Sequence, residues 1–285
     1  MAQFTNQARL SYNNSVVNSN IAVGEILEVL SADKTAIGTG YSLGDEITYV
    51  ISLVNSGTTA ITGITVTDDL GAYPFGEGAT LFPLVYVDGS IYLFINGVLQ
   101  PTPAVASTSP LTVSGITLPA GGDLVLVYKA RVTEFAPLDA GATVINTASI
   151  DGAGIGTPIT VSETVTATDS AQLAIIKSIE PVPVAQNGRV NYTFVIQNYG
   201  NTPADASANA SISDLFDPLL SDLAVAFNGV AWSEPENYTY NDATGLFVTV
   251  PGQITVPAAT YLQDPTTGEW SVTPGVSTLT VSGTL

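Results

Sequence analysis

The sequence predicts an all-β chain of two tandem β-sandwiches, with an extended N-terminal donor strand and a second sandwich that lacks its last strand. Three observations predict it. Apolar residues alternate with polar ones in runs rich in Val, Ile and Thr. One stretch of the chain occurs twice, each time ahead of the same downstream pattern. The two copies of that pattern end differently.

The doubled stretch runs from Thr5 to Leu30 and recurs as Ile145 to Ala167. Asn6 aligns with Asn146, Ala8 with Ala148 and Leu10 with Ile150; past a Gly/Asn turn, Val23 aligns with Val161, Glu25 with Glu163 and Leu27 with Val165. Both copies lead through a linker with one lysine, Lys34 or Lys177, into a second matching run, Glu46 to Gly57 over Arg189 to Gly200. These matches divide the chain into a donor segment, residues 1–32, a first sandwich, 33–170, and a second, 171–285.

Within the first repeat, Ile47, Tyr49, Ile51 and Leu53 share one face of a strand, Ile64 and Val66 share a face of the next, and Ile91, Leu93 and Ile95 share a third. Asn96-Gly97 and Asn228-Gly229 are hairpin dipeptides that tolerate positive φ. Pro119 to Gly122 and Thr273 to Gly275 turn the chain before a long strand in each repeat. In the first repeat that strand is followed by Ile145 to Ala167; in the second it runs to Leu285. Short antiparallel strands with frequent turns and no sustained helical period point to sandwiches of immunoglobulin type.

The pattern of Lys34, Gly44 to Tyr49, Val54 to Gly57, Val66 to Asp68, Leu118 to Gly121 and Asn146 to Ala148 resembles the conserved-repeat domain of bacterial surface proteins known as domain of unknown function eleven. The resemblance covers the first repeat nearly end to end, and the second more loosely through Tyr192, Asn198, Gly200 and Asp214. It implies an immunoglobulin-like fold, extracellular structural or adhesive roles, and an association with clostridial spore appendages.

Composition narrows the function. Six Lys plus Arg against 25 Asp plus Glu give a formal charge of -19, which argues against nucleic acid or an anionic membrane as partner. The absence of His and Cys removes thiol nucleophiles, disulfides, Cys/His zinc sites and the usual proton shuttle. No apolar run approaches the roughly 20 residues of a membrane span, so no membrane insertion is expected. The first residues lack a basic region followed by an apolar core. Export after loss of a leader and assembly without export both stay open. No catalytic site, cofactor or metal is expected.

A sandwich short of a strand leaves unpaired backbone groups and an apolar groove, which favours an added strand. The expected donor residues are Phe4, Asn6, Ala8, Leu10, Val23, Ile26 and Val29; the expected acceptor groove is formed by Tyr192, Phe194, Leu279 and Val281. Docking onto another copy uses different surfaces on each partner and propagates. The expectation is therefore a self-associating structural subunit of an extracellular filament on a cell or spore surface. The alternative is an adhesin or ligand-binding module from a tandem-repeat surface protein.

Two smaller motifs accompany this reading. Lys34 and Lys177 hold equivalent linker positions, and Asn146, with its counterpart Asn6, lies on the strand expected beside each. A Lys–Asn isopeptide bond assisted by Asp68 or Asp214 would join Lys34 to Asn146 and Lys177 to Asn6 of a neighbour, while the simpler role is a snorkelling lysine and a turn asparagine. Asp68-Asp69 and Asp214 to Asp222 carry the oxygen ligands calcium prefers but lack the alternation of a dedicated loop, so a solvated acidic surface is expected. Trp232, Tyr238, Tyr240, Tyr261 and Trp270 form either a glycan platform or, more ordinarily, packing.

Overall fold

The alternating runs fold as strands in the computed structural model, which describes residues 2–26 and 29–285. In Glu46–Asn55 the residues Ile47, Tyr49, Ile51 and Leu53 all point into the interior, as their period of two requires. The fold is all-β, with two β-sandwiches in tandem.

The first sandwich packs two sheets. One runs in the order Val98–Leu99, Tyr92–Ile95, Asp123–Val132, Glu46–Asn55, Leu30–Ile37; the other runs Ala104–Thr108, Leu111–Leu118, Ile61–Asp68, Thr143–Asp151, Ile159–Ala167, Gly40–Tyr41. Between them lies an apolar core that includes Tyr49, Ile64, Leu84, Leu118 and Tyr128. The hairpin of Thr143–Asp151 and Ile159–Ala167, here the closing hairpin, lies along Ile61–Asp68 and contributes Val144, Ala148, Ile150, Val165 and Ala167 to the core.

The second sandwich repeats the first sheet as Leu173–Glu180, Arg189–Asn198, Gly275–Thr284, Ser221–Phe227, Val230–Trp232. Its facing sheet has three strands, Ser213–Leu215, Leu246–Thr249 and Tyr238–Asn241. Ser213–Leu215 pairs with Leu246–Thr249 on one side; among the described residues its other edge has no strand.

A small hairpin, Thr260–Gln263 with Trp270–Thr273, leans from the second unit onto the first. The Trp270 backbone N–H donates to the Glu134 carbonyl at 2.9 Å, and Gln263 Nε2 donates to the Tyr73 hydroxyl at 2.7 Å.

The N-terminal segment forms a hairpin arm. Ala2–Asn6 pairs with Ala22–Ile26, and Arg9–Tyr12 pairs with Ser15–Asn18 around a turn in which Asn13 and Asn14 take φ of 41° and 61°. Asparagine tolerates this left-handed backbone because its short polar side chain bonds locally. Phe4, Leu10 and Val23 are 55%, 63% and 62% exposed. The side chain of Ile26, and all of Leu27, lie outside the described residues.

Candidate functional site: a lysine–aspartate pair, covered in one sandwich and open in the other

In each repeat the first strand carries its lysine facing inward across the sandwich to an aspartate on the opposite sheet. In the first sandwich Lys34 Nζ donates to Asp68 Oδ2 at 2.6 Å, with the two side chains 0% and 1% exposed. The Tyr128 hydroxyl donates to the same carboxylate oxygen. Asn146 Nδ2 donates to the Tyr128 oxygen at 3.4 Å, and Asn146 Oδ1 is buried with no hydrogen-bond partner among the described residues. The Leu70 N–H holds the other Asp68 oxygen at 3.0 Å.

Local sequence explains these positions. Alternation in Asp123–Val132 turns Tyr128 inward, where it stacks on Tyr49 at 5.6 Å between ring centroids. The Lys34 ammonium lies 5.0 Å above the Tyr49 ring. Ala148 pairs with Asp68 across the strands, so Asn146, two residues earlier on the same face, arrives beside the carboxylate. Removal from water pulls the Lys34 amine below its ordinary range, although Asp68 opposes the effect. Burial, and then the Asp68 charge, holds the Tyr128 phenol well above its ordinary range.

The second sandwich contains half of this arrangement. Lys177 donates to Asp214, but the two side chains are 40% and 18% exposed. Lys177 Nζ lies 4.6 Å from the Tyr192 ring centroid, 5.5 Å from Phe194 and 5.3 Å from Phe216. Val281 faces Tyr192 where Tyr128 faces Tyr49. On the Lys177 side of its strand, Leu173, Ile175 and Ile179 are 43%, 53% and 41% exposed. Their counterparts Leu30, Ala32 and Ala36 pack against the first core. A cleft lined by Leu173, Ile175, Ile196, Ala210, Ile212 and Ile254 lies between the start of the Lys177 strand and the segment that leads into Ser213–Leu215.

Several expected residues sit elsewhere. Leu279 and Val281 are fully buried in Gly275–Thr284, which is paired on both sides, so they belong to the core and not to the open groove. Tyr192 and Phe194 are buried beneath Lys177 and form the floor of the lysine site. On the arm, Phe4, Asn6, Ala8, Leu10 and Val23 are exposed, whereas Val29 lies at the junction, its carbonyl accepting from the Ser56 N–H at 2.7 Å. The arm also differs from the closing hairpin in register. Asn146 faces Glu163, but Asn6 faces Ala22, three residues short of Glu25.

The remaining motifs make the following contacts. The Asp69 carboxylate accepts from the Gly71 and Thr147 N–H groups. Among the described residues no group of three or more acidic side chains is arranged to hold a metal ion. Trp232 stacks on Phe227 and Tyr238 on Phe247, and the Tyr261 hydroxyl donates to the Tyr199 carbonyl.

No protein-family model and no curated protein matches the chain. Among solved structures it is similar to the major pilin subunit BcpA of Bacillus cereus, at 12% identity and a TM-score of 0.37 over 95% of this chain and 73% of that one. It is similar to the pilus backbone RrgB of Streptococcus pneumoniae, at 11% identity and a TM-score of 0.35 over 86% of this chain and 55% of that one. It is also similar to ACE19, the collagen-binding subdomain of an Enterococcus faecalis surface protein, at 10% identity and a TM-score of 0.32 over 50% of this chain and 99% of that one.

Proposed function

We propose that the chain is a structural subunit of an extracellular filament that polymerises head to tail, the N-terminal arm of one copy completing the second sandwich of the next. One observation carries this reading. The place that the closing hairpin fills in the first sandwich is open in the second, and the arm has the sequence of a closing hairpin.

The physical drive is a strand edge with free backbone groups beside exposed Leu173, Ile175 and Ile179. Docking in the manner of the closing hairpin sets Ala8 against Asp214 and Leu10 against Ile212. It also requires the arm to slip from its Asn6–Ala22 pairing to an Asn6–Glu25 pairing. A slip by an odd number of residues exchanges the two faces of one strand relative to the other, and brings Ala8 and Leu10 onto the same face as Val23. Register in a free, doubly exposed hairpin is weakly held, so the change is accessible. Because donor and acceptor are different surfaces, the contact is heterologous and continues from copy to copy. The charge of -19 keeps neighbouring filaments apart.

Negative-stain electron microscopy of the whole chain and of a chain without residues 1–30 tests this. Filaments from the whole chain only, with the peptide Ala2 to Leu30 stabilising the shortened chain, support arm docking. Dispersed particles from both, or filaments from both, overturn it. A groove completed by some other segment leaves the shortened chain indifferent to the peptide.

A further inference from the structure

The cluster of Lys34, Asp68, Tyr128 and Asn146 serves no purpose that packing alone explains. A lysine and a carboxylate taken wholly out of water contribute little net stability, because desolvation offsets their attraction. An amide oxygen buried without a partner, as Asn146 Oδ1 is among the described residues, is a further cost. What the four residues do provide is a nucleophile, a proton acceptor and an acyl group in one closed, dry site.

We propose that Lys34 and Asn146 join through an isopeptide bond, and that Lys177 forms the same bond with Asn6 of the copy docked on the second sandwich. The first bond needs only this chain. The second rests on the docking reading above.

In the first site the Lys34 ammonium passes a proton along its 2.6 Å hydrogen bond to Asp68. The neutral amine then attacks Cγ of Asn146, forming the Nζ–Cγ bond and placing the electron pair on Oδ1. Asp68 relays a proton to Nδ2, the Cγ–Nδ2 bond breaks, and nitrogen leaves as ammonia. The remaining proton goes with it as ammonium, so Asp68 ends as it began and no oxidant or co-reactant is consumed. Burial favours the uncharged amine that the attack requires. The Asp68 carboxylate is aimed by the Leu70 N–H, and Tyr128 links it to the leaving nitrogen.

The second site has the amine, the carboxylate and an aromatic floor, and lacks the acyl group. The repeat supplies it. Ala148 pairs with Asp68 and Asn146 precedes it by two; with Ala8 paired to Asp214, Asn6 arrives beside Lys177. The incoming arm also covers Lys177 and Asp214, giving the site the burial that the first already has. Val281 in place of the tyrosine removes one donor from the carboxylate.

Denaturing mass spectrometry and denaturing electrophoresis of the whole chain test both bonds. Wild-type monomer one ammonia lighter than its sequence, with a Lys34–Asn146 linked peptide on digestion, is expected; a mass equal to the sequence overturns the internal bond without any variant having to fold. Assembled wild type boiled in detergent is expected to give a ladder of covalent multimers. Lys177→Arg is expected to abolish the ladder while filaments remain visible under native conditions. Wild-type filaments that dissolve entirely to monomer overturn the inter-subunit bond and leave arm docking intact. Absence of filaments overturns docking and the inter-subunit bond together, while the monomer mass still decides the internal one.

Discussion

Ala148 lies directly across the strands from Asp68, and this pairing fixes how the closing hairpin meets the rest of the first sandwich. It carries Asn146 to the buried carboxylate, and Val144 and Ile150 into the core on the same face. The second sandwich keeps the aspartate, as Asp214, which pairs with Phe247 on one side and has no strand on its other edge among the described residues. Transferred to the arm, the same step makes Ala8 the residue that completes the pairing.

Leu10→Asp is expected to block assembly and leave the subunit folded. The side chain is 63% exposed on the arm, so the melt of the unassembled chain should move by no more than about 0.5 kcal/mol. In the docked state it would sit against Ile212, and losing a buried leucine forfeits roughly 1.5–3 kcal/mol. That corresponds to about a tenfold to hundredfold rise in the concentration needed for filaments. Sedimentation over a concentration series measures it, and unchanged pelleting would remove Leu10 from the interface.

Asn55→Ala and Asn198→Ala should each destabilise one sandwich. Asn55 is fully buried; its amide donates to the Thr59 and Pro119 carbonyls, both at 2.9 Å, and its oxygen accepts from the Gly57 N–H at 3.0 Å. Asn198 repeats this with Thr202, Pro257 and Gly200, and adds the Gln172 N–H at 2.9 Å. Leaving these backbone groups unpaired costs about 2–4 kcal/mol in each case. Trp232 packs on Phe227 in the second core, so tryptophan fluorescence should follow the Asn198 variant, with the Asn55 variant visible mainly by circular dichroism. Equal effects on both signals would show the two units unfolding as one.

Much of this fold was legible in the sequence because its signals are local and periodic. The inward faces of Glu46–Asn55 and Asp123–Val132 follow from alternation, and Asn96-Gly97 and Asn228-Gly229 do adopt the positive φ their composition favours. The repeat placed Lys34 and Lys177 in equivalent positions. Tyr128 was not singled out, because nothing local separates a tyrosine that meets a carboxylate from one that fills a core. Leu279 and Val281 read as groove residues since alternation gives a face but not which neighbours cover it. The arm's register was hidden for a related reason: aligning it with the closing hairpin presumes a partner sheet, and the free arm has none to set its pairing.

Gly268→Val is expected to separate the two sandwiches without unfolding either. A Cβ at Gly268 would stand 2.2 Å from Leu81 of the first sandwich, on a backbone with φ of +78°. The end of the Leu81 side chain and the small hairpin must then move apart, and lifting of the hairpin breaks the Gln263–Tyr73 and Trp270–Glu134 hydrogen bonds. Tyr73→Phe is the milder version, removing the bond from Gln263 and, within the first unit, the one the hydroxyl donates to the Phe135 carbonyl, each worth about 0.5–1.5 kcal/mol. Small-angle scattering should show a broader distribution of shapes for the valine variant while both core transitions persist; a scattering profile identical to wild type would rule out the hairpin as a brace.

Alkaline pH should unfold the first sandwich as its buried phenols are forced to ionise. Burial, then the charge of Asp139, pushes the Tyr41 phenol up to about 12, and burial holds Tyr49 and Tyr128 higher than their ordinary range as well. In the unfolded chain these phenols titrate near 10. The folded state therefore keeps protons that the unfolded state releases, and stability is complete below pH about 10 and lost as pH rises towards about 12. Lys34 acts in the opposite direction, since its lowered folded value makes the unfolded state the better proton binder just below pH about 10.5; an isopeptide bond would remove that contribution. Denaturant unfolding at stepped pH, read together with tyrosinate absorbance, separates the cases. The buried phenols should ionise only as the core signal is lost, and Tyr41→Phe should lessen the decline above pH about 10. Ionisation of all 12 tyrosines as one smooth titration with the core signal intact would contradict this account.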